Sequence, residues 1–113
     1  MLKKLKELET ISRKLEPSAS ERKQAQKEVI KYTEAFLGDL DTSKAFKLTR
    51  DNGINLLDSP ISENPKDIKH LLKLIEITVD TPGINPASGG HLGYIDGGGL
   101  YYAALAAYMA ALT

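Results

Sequence analysis

Leu2, Leu5, Leu8, Ile11 and Leu15 recur at spacings of three and four, with Lys, Glu and Arg filling the gaps. This spacing predicts an amphipathic helix over 2–15 with a narrow apolar stripe. Pro17 ends it, because the residue before a proline avoids helical angles. Ser18 stands three residues before Glu21, the signature of a capping box, and opens a second helix over 19–37. That helix carries Ala25, Val29, Ile30, Tyr32, Ala35, Phe36 and Leu37, with Gly38 placed for a C-cap. A third helix is expected over 65–80, with Asn64 as its cap, Pro65 in the first helical position and Asp67 near the positive end of the dipole. Ile68, Leu71, Leu72, Ile75 and Val79 form its apolar face and are the expected core. "TPG" at 81–83 breaks it. The final stretch, "LYYAALAAYMAALT", is rich in the strongest helix former and predicts a helix over 99–112. That helix has no charged side, so it must be buried against something.

Between the second and third helices lies a connector, 38–64, with Asp, Asn, Gly, Ser and Pro at turn-like positions. "AFKL" at 45–48 reads as a short extended piece. A connector of this length is unusual inside a small compact domain. Either it contains a further element, or it is laid over a surface that a partner provides. The expected fold is therefore all-α, with about four helices in one domain spanning 1–113.

The chain has 113 residues and no cysteine, so disulfides and thiolate catalysis are excluded. Zero net charge removes any global bias toward nucleic acid or an anionic membrane. The zero hides an asymmetry. Residues 1–50 hold 12 Lys/Arg against 8 Asp/Glu, a net +4, and residues 51–113 hold 3 against 7, a net −4. Opposite halves can attract one another within a chain or between two. "MLKKLKELE" is too charged for a signal peptide, and no apolar run reaches the about 20 residues that span a bilayer. Together with the missing cysteine, this fits a cytoplasmic protein.

"GGHLGYIDGGG", residues 89–99, holds six of the nine glycines and one of two histidines. It lacks the lysine of a phosphate-binding loop, and "ASGGH" does not match the nucleophile elbow of a serine hydrolase. His70 and His91 lie 21 positions apart, so a metal site gains no support from spacing. The glycines permit positive φ and close backbone approach, which means something packs tightly on this loop.

The stretch "INPASGGHLGYI", followed by glycines, "LY" and an Ala/Leu helix containing "YMA", resembles the N-terminal region of group II pyridoxal-phosphate-dependent decarboxylases, the aromatic amino acid and glutamate decarboxylase family. "DIKHLLKLIEITVDTPGINP" fits the helix leading into that loop. The resemblance is good over 64–113 and of low specificity over 1–63. It implies a helical segment that packs on the other subunit of an intertwined homodimer. It also implies that the loop lines the substrate side of an active site, with Leu92, Tyr94 and Ile95 as walls and His91 as their neighbour. The glycines then let backbone run close to the pocket and the partner chain.

Three departures fall in one short stretch. The family often has proline where this chain has Asp96, commonly "YP" at Tyr101-Tyr102, and usually Asp at Ala107. The family's large domain does not follow, nor do its Schiff-base lysine, its aspartate on the pyridine nitrogen or its ring-stacking histidine. No cofactor is therefore expected in this chain alone. The pattern reads as a cut-out segment redesigned to stand alone, with a natural remnant or a diverged homologue as the alternative. The expected function is a non-catalytic helical module that pairs with itself, needing neither nucleic acid nor membrane. The expected interface is Leu100, Leu105, Tyr108, Met109 and Leu112. The alternatives are a carboxy-lyase component active only with a separate cofactor domain, and a small-molecule module using the glycine loop.

Overall fold

The structure is a computed structural model that describes residues 1–50, 53–93 and 99–113. It is mostly helical. Helix α1 spans Leu2–Ser12 and tightens into a 3-10 turn over Arg13–Leu15. Helix α2 spans Ala19–Gly38. Its start is the expected capping box: the Glu21 amide donates to Ser18 Oγ at 3.3 Å, and the Ser18 amide donates to Glu21 Oε2 at 2.7 Å. Gly38 is not a left-handed cap. It closes the last helical turn, and Asp39 caps with right-handed angles.

The connector contains elements of its own. Strand β1, Phe46–Lys47, lies on the stretch read as extended, and helix α3, Ile54–Leu57, follows. Helix α4 spans Ile68–Ile75 and starts three residues later than the sequence suggested. Asp67, in an extended conformation, is its N-cap, and its carboxylate accepts from the Lys69 amide at 3.1 Å. A carboxylate already at the cap position outcompetes Asn64 further out. Glu76–Asp80 continue as a wider π turn, closed by the Thr81 amide donating to the Glu76 carbonyl at 2.9 Å. Strand β2, Gly83–Ile84, and helix α5, Tyr101–Leu112, complete the order. Helix α5 begins two residues after the expected Gly99. Leu100 is still extended and offers no capping side chain.

The all-α expectation therefore needs one amendment. β1 and β2 pair antiparallel, Phe46 with Ile84 and Lys47 with Gly83. This small ladder exists because residues 43–47 return alongside 83–88 of the same chain. The Asn85 amide donates to the Ala45 carbonyl at 2.9 Å, and Ser88 Oγ donates to the Ser43 carbonyl at 2.5 Å. The start of the connector is thus covered by its own chain, and no partner surface is needed to place it. Gly83 makes the tight entry with φ 86°, and Gly53 does the same before α3 with φ 80°.

What the described residues lack is a core. Among the described residues no hydrophobic side chain is buried; the two buried residues are Thr78 and Ser88. The expected core face of α4 is only partly covered: Ile68 and Leu72 are half-buried, while Leu71, Ile75 and Val79 remain 36%, 40% and 51% exposed. A compact folded monomer of this 12.3 kDa mass exposes about 6,100 Å². This chain exposes 10229 Å². Its Cα radius of gyration is 18.6 Å, where about 13 Å fits a compact domain of this length. The body is elongated, 64 × 34 × 20 Å.

Candidate functional site

Two features stand out: an open cleft between α2 and the π turn that follows α4, and the apolar surfaces that α1 and α5 leave open. The cleft has a volume of about 610 Å³. Tyr32 and Phe36 come from α2, Lys44 and Lys47 from the connector, Glu76 and Asp80 from the π turn. Its floor is set by a long-range bond in which the Tyr32 hydroxyl donates to Asp80 Oδ2. Burial raises the Tyr32 pKa well above its ordinary value. The bond to Asp80, the Asp80 charge and then the Glu76 charge push in the same direction. One turn earlier in α2, Glu28 pairs with Lys69 at 3.5 Å, and the Glu28 side chain is only 14% exposed. These two contacts tie α2 to α4. Sequence periodicity did not reveal the Tyr32–Asp80 pair, because the residues lie 48 positions apart and neither belongs to a motif.

The cleft does not fit pyridoxal phosphate. Lys44 and Lys47 are both exposed. A Schiff-base lysine needs a desolvated pocket or a neighbouring cation to lower its pKa. No histidine lines the cleft to stack on a ring. Among the described residues, no three His, Asp or Glu side chains converge as metal ligands would.

The glycine stretch begins as a pinned loop. The Gly90 amide donates to Ser88 Oγ at 3.2 Å and the His91 amide to the Ser88 carbonyl at 2.9 Å. Ser88 is thus the nail that holds this loop to the connector. His91 emerges half-buried beside it, and Leu92 projects into solvent at 89% exposure. Tyr94 and Ile95, the other two expected wall residues, lie outside the described residues, as does Asp96. Among the described residues the expectation that these glycines serve positive φ and tight packing is corrected, Gly97 and Gly98 lying outside them. Gly89, Gly93 and Gly99 have open space where a Cβ would stand, and Gly90 has only ordinary contacts at 3.6 and 3.7 Å. Among the described glycines the positive angles fall at Gly53 and Gly83.

The expected interface residues all sit on α5 or its cap, and all are exposed: Leu100 76%, Leu105 44%, Tyr108 48%, Met109 67% and Leu112 68%. Gln26 Nε2 donates to the Tyr108 hydroxyl, a polar tether from α2 to α5. At the other end of the chain, every residue from Met1 to Gln24 is exposed, including the whole α1 stripe. Among the described residues no helix is long and apolar enough to cross a membrane.

No protein-family model, curated protein or solved structure matches this chain.

Proposed function

We propose that the chain is a non-catalytic helical module that associates with a second copy of itself, as the N-terminal segment of the decarboxylases it resembles would. One observation carries this reading: the chain exposes about 4,100 Å² more than a compact monomer of its mass, and the excess includes apolar faces on α1, α4 and α5. Monomers rarely leave contiguous apolar patches beyond a few hundred Å² in water. Obligate interfaces bury about 2,000–5,000 Å² in total, so a two-chain assembly has room to absorb much of the excess. A two-fold contact buries the same patch on both copies at once.

In this reading His91, Leu92, Tyr94 and Ile95 face a neighbouring surface and perform no chemistry in this chain. Leu105→Glu places a charge in the expected interface. It should convert the assembly to monomer or precipitate it, and the dependence of melting temperature on protein concentration should vanish. A dimer of undiminished strength would move the interface off α5.

The loop at His91, with Leu92 projecting into solvent, also supports a second reading, in which the module completes the active site of a separate pyridoxal-phosphate domain. Mixing the chain with a decarboxylase lacking its N-terminal segment tests it. Restored carbon dioxide release supports this reading, and an unchanged baseline rejects it.

A further inference from the structure

We propose that α1 lies on an anionic lipid surface, with its leucine stripe toward the acyl chains and its lysines among the headgroups. The proposal is independent of pairing between chains. Leu2, Leu5, Leu8, Ile11 and Leu15 run along α1 and its 3-10 turn, and each is more than half exposed. Every residue from Met1 to Gln24 is exposed, so no other described element covers the stripe. By helical spacing, Lys3 and Lys6 fall to one side of it, and Lys4 and Lys14 to the other. With Arg13, residues 2–15 hold five cations against Glu7 and Glu9, a net +3. Glu9 is already bound to Arg13 at 2.8 Å. Among the described residues none of the four lysines is in an ion pair.

This combination points to lipid as the occupant. An apolar strip with cations on both sides suits a helix lying in a membrane interface, because lysine stems run along apolar surface while the ammonium groups stay with the phosphates. An acidic groove on a protein fits less well. Protein interfaces centre on Trp, Tyr and Arg anchors; α1 and its 3-10 turn hold no aromatic residue, and their one arginine is tied to Glu9. A stripe of Leu and Ile alone suits a fluid phase that makes no demand on side-chain shape. The eleven residues of α1 extend about 16 Å, so the helix lies along a bilayer and does not cross it. The expectation that no membrane is needed rested on the zero net charge of the whole chain. Exposed charges more than about 8 Å apart are largely screened at physiological salt, and the body is 64 Å long. A surface touching α1 therefore meets the local +3 of residues 2–15.

The test is sedimentation of the full chain with vesicles of phosphatidylcholine alone and of phosphatidylcholine with phosphatidylserine. Binding should be at least about tenfold stronger to the anionic vesicles and should weaken as salt is added. Leu8→Glu places a charge in the stripe, and Lys4→Glu/Lys6→Glu reverses one cation on each side of it. Each should reduce binding at least about tenfold. The chain has no tryptophan, so Leu8→Trp is a unique reporter, and its emission should shift to the blue on anionic vesicles. Three results overturn the proposal: no binding to either vesicle, equal binding to both, or anionic binding that either Glu variant leaves within about twofold of the parent. Binding to soluble polyglutamate as strong as to anionic vesicles, with no blue shift of Leu8→Trp on the vesicles, assigns α1 to an acidic protein and overturns it too.

Discussion

Tyr32 shows how one side chain joins two helices and sets a pH limit. Its hydroxyl bonds Asp80, and burial with two nearby carboxylates raises its pKa above the ordinary value of 10.0. A raised folded value means the contact contributes fully below the unfolded pKa and is lost as pH rises above it. Stability should therefore fall from about pH 10 upward, and Tyr32→Phe should flatten that fall. Denaturant melts at pH 8 to 11 check this, and identical profiles for both proteins would contradict it. Glu21 works at the other end of the scale. The Ser18 hydroxyl and then the Ser18 amide lower its pKa from 4.5. A lowered value gives stability above the ordinary carboxylate range that is lost on acidification. The protection factors of the amides at residues 19–22, referenced to free-chain exchange at each pH, should fall below about pH 4, and Ser18→Ala should show the reduced protection already at neutral pH. Equal protection in both proteins at neutral pH would remove the capping box from the account.

Helix by helix, the sequence reads well where the cause is local. Ser18 and Glu21 place the start of α2 because the capping pair lies within one turn. Leu2 to Leu15 give α1 by periodicity alone. Boundaries slipped where two local signals compete, as at Asn64 and Asp67, or where glycine has no side chain to cap with, as before Leu100. The β1–β2 ladder and the Ser88 clamp were beyond sequence reasoning, because their partners sit about 40 residues apart and each is too short to show a period. That α5 carries no charged side was legible in the sequence, whereas the cleft around Tyr32 was not. Helix α4 supplies a graded test. Full burial of Leu72 would make Leu72→Ala cost roughly 2–5 kcal/mol. Leu72 is only half-buried in the single chain, so a cost in that full range is expected when the protein is assembled and a smaller one at dilutions that separate the chains. Chemical denaturation at two protein concentrations measures the difference. Equal costs at both would detach α4 from the assembly.

At the scale of the molecule, the chain has secondary structure, caps and a few long-range polar ties, yet no buried apolar side chain among the described residues. Such ties are individually small contributions, since a net hydrogen bond stabilises by about 0.5–1.5 kcal/mol and an exposed ion pair by less. They do not substitute for a hydrophobic core in offsetting the entropy of ordering 113 residues. In the self-association reading the missing burial comes from a second copy, and the charge asymmetry between the halves of the chain, +4 over residues 1–50 and −4 over 51–113, suits that pairing. Sedimentation equilibrium across low to high micromolar protein tests this most directly. The account predicts a mass of two 12.3 kDa chains at the upper end, with reversible dissociation on dilution. A mass of one chain throughout, with a melting temperature independent of concentration, would contradict it.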